Sequence, residues 1–390
     1  MGNTIQYIYK SLAGILILVS LNYLYKFTSF EHDIQKYSEF VNLGRQAVRD
    51  SIEIIYVGES SNNTFRKDDE DKRAISEMLS DFYPKIKIGT ITKEASHAAI
   101  FYELLRNIPE PSTIKTVIVT LNLRSFDANW IFSNLETPLQ KSIVLLKDHP
   151  ALYNRFLLTF KGYDVKTDKE REKQFKFKWK HDPLNFQEAF QYKNTLEWDN
   201  GIAQKGIINN DGSINSPMTE LACHYVKTYA FSIDSSTNPR IKDFDKIVLL
   251  AKERNWNLVF NLMAENIEKA DSLVGKELTY LIKQNRDLLV ERYQSKNVIV
   301  VDNLESVSNS EFIDQTWTTE HYAERGRKII ARNVANALKI IYPDKFVQIQ
   351  LKPFKFSNNC EGITQWGQMQ TLTSRKHHSG TKSSKCGQGA

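Results

Sequence analysis

Five short runs constrain this chain most: IEIIYV (52–57), IKIGTI (86–91), TVIVTL (116–121), NLVFNL (257–262) and NVIVV (297–301). Each is almost continuously apolar and rich in β-branched residues. Strands buried on both faces of a parallel sheet read this way, whereas half-exposed strands alternate. Between the runs, apolar residues fall at helical spacing over 73–83, 95–107, 241–254 and 264–293. A last helical pattern follows His321, with Ile329, Ile330, Val334, Ala337, Leu338 and Ile341 on one face. Strands alternating with helices predict an α/β fold, a three-layer α/β/α sandwich around a central, mainly parallel five-stranded sheet.

The rhythm breaks in three places. Residues 127–239 carry no clear buried strand and are rich in Lys, Phe, Trp and Tyr, as in KQFKFKWK (173–180). They are expected to form an inserted region of helices and loops over the active edge of the sheet. The basic-aromatic run is either a surface for an anionic glycan or a solvated amphipathic segment. Residues 351–390 have no periodicity and much Ser, Gly, Gln and Lys, the composition of a disordered tail. At the other end, SLAGILILVSLNYLY (11–25) holds no charge, and only Lys10 interrupts a longer apolar stretch. A helix of about 20 such residues spans a bilayer, and Lys10 can snorkel to the headgroups. Residues 1–27 are therefore expected to be a single-pass membrane anchor, with a cleaved signal peptide as the alternative. Residues 28–50, with Ile34, Tyr37, Phe40, Val41 and Leu43 at helical spacing, read as a stalk or a first packing helix. Residues 51–350 then make up the α/β domain.

The 52 basic and 46 acidic residues leave a net charge of +6, part of it in the tail. A nucleic-acid binder concentrates its basic charge on one face, so no nucleic-acid partner is expected. No phosphate-binding glycine loop or zinc-finger spacing is present. The three cysteines, Cys223, Cys360 and Cys386, form no CxxC pair. Cys223 beside His224 reads as a small buried hydrophobe next to a surface histidine. Neither a metal nor a cofactor is expected.

Three places carry residues able to do chemistry. The first run ends in Val57-Gly58-Glu59-Ser60-Ser61-Asn62. Ligands of open α/β sheets sit beyond the carboxyl ends of the strands. Ser60 stands there, as a nucleophile or as a helix N-cap. The third run ends in Leu121-Asn122-Leu123-Arg124. Asn122 can donate to a developing oxyanion or form an Asx turn. After the last run comes Asp314-Gln-Thr-Trp317-Thr-Thr-Glu320-His321-Tyr322. His321 can serve as a general base if a carboxylate orients it, and Asp314 and Glu320 are the acids at hand.

Taken in this order, the three segments resemble the SGNH (GDSL-like) hydrolase superfamily over roughly residues 52–341. VGESSN is similar to its Gly-Asp-Ser block with Glu59 for Asp. LNLRSF is similar to its Gly-x-Asn-Asp block, keeping the Asn. TTEHYAERGRKIIA is similar to its Asp-x-x-His block. The resemblance implies that Ser60 and His321 are the catalytic pair. Asn122 then belongs to the oxyanion hole, with Gly89, or alternatively Ser96, as its glycine counterpart. The chain departs from the pattern at Thr318, which stands three before His321 where the family has Asp; Asp314 is the candidate that replaces it. Arg124, Trp130 and Trp317 lie beside the motifs as candidate substrate-binding residues. The resemblance further implies an esterase or O-acyltransferase acting on an acylated small molecule or polysaccharide of the cell envelope, with its domain on the extracytoplasmic side. The alternative is an inactive relative that binds a glycan or a partner.

Overall fold

The computed structural model describes residues 2–163 and 165–349. The tail expectation for 351–390 lies outside the described residues. The five apolar runs form five strands: β1 (Ile54–Gly58), β2 (Ile88–Thr92), β3 (Thr116–Leu121), β4 (Asn257–Leu262) and β5 (Val298–Asp302). All neighbours pair in parallel, in the order β2-β1-β3-β4-β5. This is the doubly wound, flavodoxin-like order, whose switch point lies between β1 and β3.

The helices in chain order are α1 (Gly2–Thr28), α2 (Phe30–Tyr37), α3 (Glu39–Arg49), α4 (Ser60–Asn63), α5 (Ile75–Phe82) and α6 (Ala98–Arg106). The inserted region adds α7 (Ala128–Ile131), α8 (Glu136–Ile143), α9 (Ala151–Thr159), α10 (Asp168–His181), α11 (Thr195–Lys205) and α12 (Ser216–Tyr229). The domain closes with α13 (Pro239–Glu253), α14 (Ile267–Leu273), α15 (Lys276–Tyr293) and α16 (Glu324–Leu338).

Successive strand side chains point to opposite faces, and the core divides accordingly. Ile55, Val57, Val117, Val119, Leu258 and Phe260 pack with α3, α6, α13 and α15. Ile54, Tyr56, Ile118 and Val259 pack with α5 and α16 on the other face. The single helical pattern over 264–293 is two helices, because Gly275 takes φ +115 between them. Only glycine adopts that backbone without strain.

Phe40, Val41, Gly44 and Ala47 are buried, so α3 packs on the domain. Helix α3 runs antiparallel to the strands. Glu39 at its start pairs with Lys93 just past the carboxyl end of β2 (3.2 Å). Asp50 at its end accepts from Lys87 at the amino end (3.2 Å).

The inserted region reaches both edges of the sheet. Helix α7 and the end of α12 lie at the carboxyl edge, where Thr228 meets Thr318 (3.3 Å). Helix α8 instead descends beside α6 to the amino edge, where Arg106 donates to Leu146 O (2.8 Å) and pairs with Asp148. Apolar pairing drives this course: Val144, Leu145 and Leu158 form a separate small core with Ile34 and Val41.

Candidate active site

Ser60 is the first residue of α4, directly after β1. An added Cβ at Gly58 would come 2.9 Å from the Tyr56 ring and 3.0 Å from Thr120 Oγ1, so the turn out of the strand requires glycine there. Asn62, fully buried, then fastens the turn. It donates to Thr92 Oγ1 (2.7 Å) and Ser76 Oγ (3.0 Å), and its Oδ1 accepts from Ser76 N–H (3.0 Å). As the first helical residue, Ser60 has an N–H with no partner inside the helix.

His321 precedes α16 in a loop folded back on itself. Phe312 and Tyr322 form an antiparallel bridge, and Ile313 N–H donates to His321 O (2.9 Å). That fold lays Asp314 against the ring. His321 Nδ1 lies 2.7 Å from Asp314 Oδ2, and Nε2 lies 3.0 Å from Ser60 Oγ. With its proton on Nδ1, the ring donates to Asp314 and accepts the Ser60 hydroxyl proton at Nε2. Thr319 Oγ1 donates to the same Asp314 oxygen (2.6 Å). The hydrogen bond from His321, with help from Thr319, holds the Asp314 carboxyl below its ordinary range despite partial burial. It is therefore charged when the ring needs a counter-ion.

Thr318, in the position where the resemblance places an acid, is buried and makes another contact: its carbonyl accepts from Arg124 Nη1. Glu320 points away from His321 and takes both Nε and Nη2 of Arg124 in a bidentate pair. Arg124 and Glu320 are buried. Its guanidinium ties the His321 loop to the end of β3, and the residue also lines the cleft next to Asn122. Removing one partner of such a buried pair costs about 3–5 kcal/mol.

Asn122 lies just past β3, paired in space with Ser60 past β1. Its Nδ2 donates to Glu59 Oε1 (2.5 Å), and its Oδ1 accepts from Arg124 N–H (2.9 Å). The amide keeps a second N–H for the site. Gly89 is not brought there. It pairs with Ile55 inside β2, three residues before the strand ends, about 10 Å from the rim. The loop after β2 supplies the neighbours instead. A tight cleft of about 10 Å³, room for about one water, is lined by Glu59, Ala95, Ser96, Asn122, Arg124 and Trp130, among others. Ala95 takes φ +58, and the buried Ser96 hydroxyl has no protein partner. Trp130 lies under the Arg124 guanidinium, 5.1 Å from ring centroid to Cζ. Trp317, half exposed, rests on His224 (4.0 Å between rings) beside the His321 loop. Among the described residues no cluster of three or more potential metal ligands occurs.

Beneath the rim lies an acidic cluster that the sequence pattern did not reveal. Glu59, Glu265 and Glu320 are buried around the single guanidinium of Arg124. Glu265 accepts the Tyr229 hydroxyl, and burial pushes its carboxyl well above the ordinary range. Burial, and then the nearby Glu320 carboxylate, raise Glu59 to about 7, against the pull of Asn122, Arg124 and His321. Between the unfolded value near 4.5 and the folded value near 7, native Glu59 holds a proton that the unfolded chain has lost, so stability falls as pH rises through that window. Glu59→Gln keeps the acceptor for Asn122 and removes the titration. We expect urea midpoints of the variant to fall less than those of the wild type between about pH 4.5 and about pH 8. Equal slopes would place Glu59 outside this linkage. Glu265 and Asp127, both raised by burial, keep part of the slope in each protein.

No family model and no curated protein sequence matches the chain. Among solved structures, the chain is similar to a lipase/acylhydrolase from Enterococcus faecalis at 8% identity and a TM-score of 0.32, covering 77% of this chain and 100% of that one. It is also similar to a lipase from a goat rumen metagenome at 10% identity and a TM-score of 0.30, covering 73% of this chain and 97% of that one.

Proposed function

We propose that the chain is an SGNH-type serine esterase or O-acyltransferase that works through an acyl-enzyme on Ser60. The observation that carries this reading is the continuous relay from Asp314 Oδ2 to His321 Nδ1 (2.7 Å) and from His321 Nε2 to Ser60 Oγ (3.0 Å). Groups drawn from opposite ends of the sequence meet at one rim of the sheet in the geometry that activates a serine hydroxyl.

In the proposed reaction, Ser60 Oγ attacks the acyl carbonyl carbon as its proton passes to His321 Nε2. The negative charge that develops on the carbonyl oxygen is met by the Ser60 N–H, the free Asn122 N–H and an N–H of the loop after β2. The carbonyl re-forms, the ester C–O bond breaks, and the departing alkoxide takes the proton back from Nε2. The acyl group then sits on Ser60. Water or a sugar hydroxyl, deprotonated by Nε2, attacks the acyl carbonyl; the bond to Ser60 Oγ breaks, and Oγ takes the proton back from Nε2. Asp314 remains ionised throughout and stabilises the imidazolium formed at each half-reaction.

Helix α1, of which Thr4–Thr28 is long and apolar enough to cross a membrane, supports an anchored enzyme, and the resemblance of its motifs supports acyl esters of envelope polysaccharide, met on the extracytoplasmic side, as the substrate. The test is turnover of a small acetyl ester by the full chain in detergent, with and without an oligosaccharide acceptor. Release of acetate alone marks a hydrolase, and acetylated acceptor marks a transferase. No turnover of acetyl, butyryl or longer esters rejects the proposal.

A further inference from the structure

Where α1 meets the domain fixes which way the site faces. Helix α2 runs antiparallel to α3: Asn42 donates to Gln35 O (3.0 Å), and Arg45 pairs with Glu31. Since α3 descends toward the amino edge of the sheet, α2 begins near that edge, and α1 enters from beyond it. A second set of contacts gives the same placement. Leu152 N–H, at the start of α9, donates to Asn22 Oδ1 of α1 (2.8 Å). Tyr25 donates to Asp33 (2.9 Å), which pairs with Arg155 of α9 (2.7 Å). The chain leading into α9 is held at the amino edge by Arg106, whose Nη2 donates to Leu146 O. Arg254, just before β4, donates to the carbonyls of Arg106 and Ile108 and marks that edge. Residues 4–21, about 27 Å of helix, therefore project from the end of the sheet opposite Ser60.

Beside this span, α9 turns an apolar face to the outside. Tyr153, Phe156 and Phe160 fall at i, i+3 and i+7 and are 51%, 50% and 77% exposed. Phe156 and Phe160 stack at 6.4 Å. Val165 (75%) follows, and Phe27 of α1 (86%) is also exposed. Lys26 and Lys161 are exposed next to these aromatics. An aromatic helix face with adjacent lysines, joined to the end of an apolar span, has the composition of a bilayer interface.

We propose that the aromatic face of α9 lies in the headgroup layer of the membrane crossed by α1, so that the domain stands on the bilayer by the amino edge of its sheet. The Ser60 rim then opens into the aqueous space, and the acyl donor and acceptor reach it from there and not from within the bilayer. This rests on the reading of α1 as a membrane span. The occupant is inferred from the continuity of the face with α1.

The test uses the full chain, with Cys223, Cys360 and Cys386 replaced by Ala, in nanodiscs containing anionic lipid. Spin labels are placed singly by Phe160→Cys, Tyr153→Cys and Trp317→Cys. Collision with oxygen, which partitions into lipid, is compared with collision with a water-soluble nickel chelate. We expect the oxygen-to-nickel ratio to be several-fold higher at 153 and 160 than at 317, which lies at the opposite edge. A water-like ratio at all three sites with the chain still held in the disc overturns the placement of α9 and leaves the span intact. Low collision with both reagents at 153 and 160 means that a protein, such as a second copy, covers the face, and also overturns it. Failure of the chain to stay with the disc at all rejects the membrane span itself, and the proposal with it.

Discussion

Ser60→Ala is expected to lower kcat for acetyl-ester turnover by at least about 10⁴-fold, with a much smaller change in KM. In the proposed mechanism the hydroxyl forms the covalent bond, and it acts in the transition state rather than in holding the ester. His321→Ala should fall about as far, because Ser60 without an acceptor 3.0 Å away keeps its proton. The double variant should be no worse than either single one, since the two groups act as a unit. Steady-state kinetics on the three proteins measure this. A double variant that loses the product of the two single factors would show that the residues act separately.

Asp314→Asn should cost about 10⁴-fold in kcat, again with little change in KM. The carboxylate accepts from His321 Nδ1–H (2.7 Å), which leaves Nε2 free to accept from Ser60. An amide at 314 can present its NH₂ to Nδ1, which favours the opposite tautomer and puts the ring proton on Nε2. The ring then cannot take the serine proton. Thr319 Oγ1 donates to the same Asp314 oxygen, so Thr319→Val should lower activity through the orientation of that carboxylate, by much less than Asp314→Asn. If Asp314→Asn keeps wild-type kcat, another acid orients the ring. Glu320, fully committed to Arg124, is a poor substitute.

The central strands β1, β3 and β4 were legible because they are buried on both faces, and an unbroken run such as Thr116–Leu121 has few other ways to fold; the edge strands β2 and β5 share the apolar run but are partly exposed, contrary to the expectation of burial on both faces. Ser60 and Asn122 were legible for a related reason: the end of a strand marks the rim, and both follow strand ends directly. His321 needed the motif resemblance, since nothing in its local periodicity sets it apart. Other parts were hidden by physics that a one-dimensional pattern does not carry. Asp314 is a candidate in the sequence, but what brings it to the ring, seven residues before His321, is the Phe312–Tyr322 bridge, which no local pattern announces. The resemblance points to Gly89 for the oxyanion hole, yet that glycine lies within β2. The left-handed turn of the loop after β2 falls on Ala95, a residue that carries no compositional signal for positive φ. The buried acids Glu59, Glu265 and Glu320 come from three distant segments, and in sequence each looks like a surface charge. The course of α8 and α9 toward the amino edge depends on the pairing of Ile34 with Val144, Leu145 and Leu158, a long-range match that helical spacing alone does not reveal.

A fluorophosphonate probe tests the Ser60 nucleophile most directly, since it bonds far faster to an activated serine hydroxyl than to an ordinary one. Mass spectrometry of the digested full chain should find one phosphonylated residue, Ser60, with labelling abolished in Ser60→Ala and strongly slowed in His321→Ala and Asp314→Asn. Labelling of Ser60→Ala at the wild-type rate, or an adduct on a residue other than Ser60, would contradict it.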